Sequence, residues 1–419
     1  MQNRSIRLFV LLCCALGVFA LYIYAQQPRE QINVNMYREQ TGLSDRWWIQ
    51  YQLAEPVTQL EFIRTPDQSR VTRWSPESGE FMIAVAANGD EYIQRVDQQP
   101  FQFVSFELTP TYIYLEQDYA PFSPYSDGGM AWFSGRFKVC PESCEFAGQF
   151  RFYFTMQSAS TDSIVIPTAS ATGDLSWYES ADDGLMVYVG DQQPNQSGMP
   201  LLIDQGIPAA LQSELRNSLE PMLDYFAARL GALETAPMVF ASYSSTSNGR
   251  YGNQGGVIGN QLFVHWYGMA LEDRMIEPTF VNDTLWFFAH EVAHLYQRNL
   301  FDNDHAWIHE GSAEWMAYRY LESIGVSTGY LELRLARAEK LCAQANPDDR
   351  IRQDYACGML LAKRIDEALL REYPFGIYYF WQEFLARSTA QSDQYTVFQE
   401  TLQQLTHQQF ASALLRSAP

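Results

Sequence analysis

Basic residues are scarce in this chain. Lys and Arg number 28 against 49 Asp and Glu, for a formal net charge of -21. A surface of that sign argues against nucleic acid and anionic membranes as partners. No internal repeat of fixed period is present. The stretch from Ser244 to Asn260 is rich in Gly, Ser and Asn but lacks G-K-[ST], so it is no phosphate cradle. Cysteine is rare, with 6 in 419 residues, and Cys13 and Cys14 fall in an N-terminal apolar run. They follow Leu and Cys, not a small residue, so no lipid-attachment site is read there. Histidine is equally rare, again 6.

Residues 1–25 carry Arg4 and Arg7, then an uncharged run from Leu8 to Ala25. A basic start and an apolar middle make a secretory signal. The run is long for a cleaved signal and near the lower limit for a membrane span. Ala25, with Ile23 two before it, allows cleavage. An uncleaved anchor through residues 8–25 would keep Arg4 and Arg7 on the cytoplasmic side. Either way the chain after Gln26 is expected to be exported, to a periplasm or cell envelope. Four cysteines remain beyond the run, Cys140, Cys144, Cys342 and Cys357. An even count in an oxidising compartment suggests two disulfides. Cys140 and Cys144 are spaced to close a hairpin end. Cys342 and Cys357 enclose the turn-like Asn346-Pro347-Asp348-Asp349. Zinc binding by the first pair is the alternative, but no second Cys or His pair lies nearby.

With 47% hydrophobic residues the chain can bury a sizeable core, and its length suggests two or three domains. Residues 30–190 read as an all-β domain. Arg46 to Leu53, Phe81 to Val85, Tyr92 to Val96, Phe101 to Leu108 and Gln149 to Phe154 are aromatic or alternating. Turn signals such as Asn88-Gly89-Asp90 and Ser126-Asp127-Gly128-Gly129 separate them. The polar stretch Gly190 to Gly198 reads as a linker. A helix is predicted from Pro208 to Gly231 through Leu211, Leu215, Leu219, Leu223 and Leu230. Short strands follow at Pro237 to Tyr243 and Gln261 to Tyr267. From Asp283 onward the pattern is almost wholly helical, so residues 200–419 form a second domain.

Within that helical part, residues 290–294 read H-E-x-x-H. On a helix His290 and His294 lie on one face, a turn apart, so two imidazoles reach one metal ion. Glu291 sits about 100° round, placed to take a proton from a metal-bound water. Asn282 or Asp283 can cap the helix start, and Leu285 to Ala289 is apolar on all sides, as in a buried helix. Two core histidines at this spacing are the bland alternative, and with 6 His the full pattern rarely arises by chance. Catalytic zinc takes three protein groups. The next helical segment, Ala306 to Ala317, offers Glu310. Glu314 faces the same way one turn later, and His305 and His309 are weaker candidates. Glu314 reads as an acceptor for the free ring nitrogen of a ligand histidine, or as a solvated carboxylate.

H-E-x-x-H followed by Trp307-Ile308-His309-Glu310-Gly311-Ser312-Ala313 resembles the gluzincin metallopeptidases, and most nearly the aminopeptidase N and glycyl aminopeptidase families. The resemblance implies that Glu310 is the third zinc ligand, although the connection is about three residues shorter than in the aminopeptidase N family. It implies an N-terminal β domain and a thermolysin-like, mostly helical catalytic domain with its site in the cleft between two lobes. Tyr355-Ala356-Cys357-Gly358-Met359-Leu360-Leu361 resembles the Y-x-x-G-x-L-L segment of these families. There the Tyr hydroxyl donates to the oxyanion, which assigns that role to Tyr355. Cys357 departs from the usual Lys.

The aminopeptidase strand G-x-M-E-N, whose Glu holds the substrate amine, matches Gly256-Val257-Ile258-Gly259-Asn260 in its Gly and Asn. Gly259 stands where the Glu belongs, so no carboxylate pairs there with an ammonium group. The backbone of residues 257–265 could still pair with an extended peptide. Gly256, Gly259 and Asn260 are thus candidate substrate-binding residues of a permissive or endopeptidase-like site, and Glu272 or Asp273 could replace the missing acid. The expected protein is an exported peptidase with one zinc ion, Glu291 as general base, and peptides or proteins as substrates. The alternatives are a catalytically silent zinc-containing binding protein of the same fold and a hydrolase of a non-peptide amide or ester. An intact Glu291 argues against the silent form.

Overall fold

Strand periodicity is clean in the first part of the chain. In Glu30–Gln40, Ile32, Val34 and Met36 are fully buried and alternate with half-buried polar residues. In Phe150–Gln157, Phe150, Phe152, Phe154 and Met156 do the same. The two strands run parallel with Ile32 beside Phe152 and Val34 beside Phe154, so one face of the sheet is continuous hydrocarbon. The computed structural model describes residues 30–416 other than 41–44, 116, 117, 183, 196, 197, 246–250, 269, 270, 299, 302, 347, 348, 350, 390 and 391. The predicted signal or anchor lies outside the described residues, as does part of the stretch between Cys342 and Cys357.

The chain forms two compact units. The first comprises residues 1–109, 135–160 and 173–184. It holds a six-stranded sheet in the order Asp174–Ser180, Phe150–Gln157, Glu30–Gln40, Asp45–Val57, Phe101–Leu108, Trp74–Pro76. A four-stranded sheet (Val139–Pro141, Gln59–Phe62, Glu91–Arg95, Phe81–Val85) completes it. Trp74 packs on Phe62, Phe106 and Phe137. Arg70 is buried against Glu91 and donates to the Arg64 and Arg136 carbonyls at 2.8 and 2.7 Å, so the buried guanidinium is paired and hydrogen-bonded. Cys140 and Cys144 form a disulfide.

The second unit takes residues 110–134, 161–172 and 185–419. Phe122–Pro124, Met130–Phe133, Met186–Gly190, Ser163–Ile166 and Ala169–Thr172 form an antiparallel sheet. Leu201–Ile203, Met238–Ser244, Gln261–Tyr267 and Gly252–Ile258 form another, with Gly252–Ile258 antiparallel at one edge. Phe133, Val165, Met186 and Tyr188 share a core with Leu202, Met238, Phe240 and Phe263. The Gln261 amide ties the sheets, accepting from Met186 N at 2.9 Å and donating to Met186 O at 2.7 Å. The next residues along the same strands, Val239, Ala241, Leu262 and Val264, point to the opposite face and pack with the helices.

Among those helices, Ala209–Leu230 runs from Pro208 to Gly231, whose φ is 95°. Its buried face is Leu211, Leu215, Leu219, Met222 and Phe226. The stripe shifts to Met222 and Phe226 after Leu219, as 3.6 residues per turn requires, and leaves Leu223 and Leu230 half-buried.

The expected thermolysin-like, mostly helical catalytic domain is overturned. The architecture is an N-terminal multi-sheet all-β part followed by a helical C-terminal region. The unit that carries the helices also contains nine strands in two sheets, several from before residue 190. The physical reason is non-local. Strands such as Met130–Phe133 and Met186–Gly190 are fully buried and pack on strands after residue 200, and no local periodicity records which core a strand joins. A further reading, that the backbone of residues 257–265 could pair with a peptide, is corrected in part. The glycine-rich stretch before Asn260 contains the edge strand Gly252–Ile258. Gln261–Tyr267 is an interior strand, so its backbone is already paired on both sides.

Candidate active site

The helix Phe280–Gln297 is buried along most of its length, including Leu285, Trp286, Phe288, Ala289, Val292 and Ala293. Buried Phe280 anchors its first turn, so the helix begins before Asn282 and Asp283, which do not cap it. Asp283 instead accepts from the Tyr330 hydroxyl at 2.7 Å and lies 3.5 Å from Arg334. The helix Ala306–Ser323 lies alongside, with small residues Gly311, Ser312 and Ala313 on its buried face.

Three atoms converge between these helices. His290 Nε2 is 3.0 Å from His294 Nε2, and Glu310 Oε2 is 3.1 Å from the first and 3.3 Å from the second. The ring nitrogens facing away have their own neighbours. His294 Nδ1 is 2.9 Å from Gln297 Oε1, and His290 Nδ1 is 3.2 Å from Glu314 Oε1 without a well-aligned hydrogen bond. The indole of Trp286 donates to Glu314 Oε2 at 2.9 Å, and Arg334 stands 3.8 Å from the same oxygen. With a proton on each Nδ1, both Nε2 lone pairs and a carboxylate oxygen aim at one point. Such a donor set repels itself unless a metal ion or a shared proton stands there. His290, His294 and Glu310 are the group of described residues that could hold a metal ion, with ligand atoms within 4.8 Å of one another.

The electrostatics follow from burial and these contacts. Burial disfavours the charged form of His290, yet Glu310, hydrogen-bonded to its ring, and the nearby Glu314 and Glu291 carboxylates outweigh this and hold its pKa well above the usual value. Burial raises Glu310, but His294 and the hydrogen bonds of its histidine neighbours carry it well below the usual carboxylate range. Glu291 is buried and moves up, because burial exceeds the pull of His290 and His294. His265, by contrast, is an ordinary core histidine. Its ring lies between Ser242 and Ser244 at 2.7 and 2.9 Å, and burial pushes it down to about 3.

Tyr355 sits in a π-helical turn, Arg352–Cys357, and its ring stacks on His290 with centroids 5.7 Å apart. Its phenol lies above the usual tyrosine range through burial and the Glu310 and Glu291 carboxylates, and it shares a hydrogen bond with Glu310. Cys357 in the same turn is joined to Cys342. His290, Glu291, Glu314 and Tyr355 line a cleft of about 530 Å³ together with Asn253, Gln254 and Gly255 of the edge strand.

Gly256, Gly259 and Asn260 are not brought into that lining. A side chain at Gly256 would meet the Tyr119 ring at 2.9 Å. Gly259 is a turn residue with φ of 55°. The Asn260 amide donates to Thr235 Oγ1 and Ala236 O at 2.9 and 3.0 Å. The strand register puts the preceding residues, 253–255, at the cleft. Glu272 and Asp273 are absent from the lining too. The carboxylates present besides Glu291 and Glu314 are Glu277, bonded to Arg274 at 2.6 Å, and Asp283. Sequence reasoning missed Gln297, Trp286 and Arg334. Gln297 alone had a signal, being three residues after His294 on the same face.

No protein-family model matches the chain, and no curated protein matches it. Among solved structures, the crystal structure of an aminopeptidase N family protein from Idiomarina loihiensis is similar at 12% identity and a TM-score of 0.56. The match covers 86% of this chain and 71% of that one. It is a likeness of fold, and the N-terminal β part fits within it.

Proposed function

We propose that this chain is an exported, zinc-dependent peptidase of the gluzincin kind. The observation that carries the reading is the meeting of His290, His294 and Glu310 at one point, with His290 lining the cleft that also holds buried Glu291 and the partly exposed Tyr355. His290, His294 and Glu310 would hold the zinc, which when bound supplies a Lewis acid that acidifies water and polarises a carbonyl. Gln297 and Glu314 orient the two imidazoles through their outer nitrogens. Glu291 takes a proton from the attacking water and returns it to the leaving amine. Its raised pKa brings it closer to neutrality, where a proton shuttle works best. The Tyr355 hydroxyl, kept protonated by its surroundings, donates to the oxyanion that forms at the scissile carbonyl.

The reading extends to where the enzyme cuts. The edge-strand residues at the cleft are Asn253, Gln254 and Gly255, none of them ionisable. Gln254 is engaged with the Tyr112 hydroxyl at 3.0 Å and the Asp118 carbonyl at 3.0 Å. Glu277 and Asp283 already have partners. These facts support a site that does not demand a free N-terminus. Substrates are peptides or proteins, and nucleic acid is not a partner. The two disulfides support export. No helix among the described residues is long and apolar enough to cross a membrane, so anchoring rests on residues 8–25. The test is hydrolysis of a mixed peptide library by the purified protein, before and after zinc chelation. Absence of cleavage in the zinc-loaded form contradicts the proposal.

A further inference from the structure

The helix that follows Tyr355, Gly358–Leu369, touches the Glu310 helix through two glycines. A Cβ on Gly311 would lie 2.1 Å from the Gly358 carbonyl carbon and 2.4 Å from its Cα. A Cβ on Gly358 would lie 2.5 Å from the Trp307 carbonyl oxygen and 2.9 Å from Gly311 Cα. The obstacles are backbone atoms, so neither side can accept a methyl group unless the helices separate. Gly311 directly follows Glu310, and Gly358 lies three residues after Tyr355. The backbone contact therefore sets how far the Tyr355 turn stands from the Glu310 carboxylate. A π-helical turn on one side of this contact and the Cys342–Cys357 bond fix the same turn. π-Turns often mark functional positions.

We infer that Gly311 and Gly358 are positioning residues, a backbone contact that holds the Tyr355 hydroxyl at the reacting carbonyl. The inference rests on the peptidase reading and on the role of Tyr355 within it. A displacement of about 1 Å can cost about 100-fold in rate.

The experiment places Gly358→Ala and Gly311→Ala separately in the native background and in Tyr355→Phe. Zinc stoichiometry, melting temperature, kcat and KM are measured on one peptide. Each Ala variant is expected to keep its zinc and to lose about 10- to 100-fold in kcat with KM nearly unchanged. In the Phe background each is expected to add less than about threefold, because the hydroxyl it misplaces is already absent. An undiminished loss in the Phe background overturns the inference, and so does native kcat in both Ala variants. Loss of zinc or of folding in both would make the contact a folding element and also overturns it. A fully active Tyr355→Phe single variant refutes the hydroxyl's role itself, and this outcome is separable from the glycine results.

Discussion

Replacing Glu314 with Gln should weaken zinc binding without removing a ligand. Glu314 Oε1 lies 3.2 Å from His290 Nδ1, and its Oε2 accepts the Trp286 indole at 2.9 Å. The carboxylate thus meets two N–H groups with its two oxygens, with Arg334 3.8 Å away. A Gln keeps the size but has one oxygen. Its amide group must turn N–H toward either Trp286 or His290, donor against donor. The loss of charge also makes the partner of His290 Nδ1 a weaker acceptor and so leaves Nε2 a poorer base. Partners of this type are worth about 10- to 100-fold in metal affinity, or about 1.4–2.7 kcal/mol. Competition with a chromophoric zinc chelator measures the Kd directly. Glu322→Gln, a change on an exposed part of the same helix, serves as control. If Glu314→Gln binds zinc within twofold of the unaltered protein, Glu314 does not support His290 and the reasoning fails.

The Cys342–Cys357 bond closes a loop with a sequence separation of 15, worth about 3 kcal/mol on a chain-entropy account. Replacing both by Ser should lower the melting temperature and, by loosening the Tyr355 turn, kcat; native turnover in that variant would detach the bond from the site. One peptide offered with a free and with an acetylated N-terminus should be cut at similar kcat/KM. Abolition of cleavage by acetylation would mean that an acid at the cleft, Glu277 or Asp283, binds the amine. Burial raises Glu291, so its base form is present above a pKa higher than the ordinary glutamate value of about 4.3 and is lost as pH falls through it. The acid limb of kcat/KM should lie above that ordinary value and disappear in Glu291→Asn, whose residual activity should be flat there; an unchanged limb would assign it to another group.

Where local signals bound an element, the sequence told its extent. Phe81–Val85, Phe101–Leu108 and Gln261–Tyr267 were readable residue for residue, because turns and alternation mark both ends. The helix Ala209–Leu230 was delimited by Pro208 and Gly231. The two histidines and Glu291 were legible from helical geometry alone. Glu310 and Tyr355 needed motifs, since they come from other elements and nothing local ties them to His290. Only the end of the strand Gly252–Ile258 was legible, through the motif match at residues 256–260, because three glycines mask its propensity, and its pairing with Gln261–Tyr267 supplies what propensity does not. The composition of the helical unit was unreadable for a related reason. Tyr188 and Phe240 belong to one core, but about fifty residues of chain separate them, and burial patterns do not name partners.

The most direct test of the central claim is to measure zinc stoichiometry and peptide turnover together in the unaltered protein, Glu291→Gln and His294→Ala. The account predicts about one zinc per chain and turnover in the first, zinc without turnover in the second, and neither in the third. Equal loss of zinc from both variants would make Glu291 a ligand and not a base. Turnover that persists in Glu291→Gln, or in His294→Ala without metal, would place the chemistry elsewhere and contradict the account.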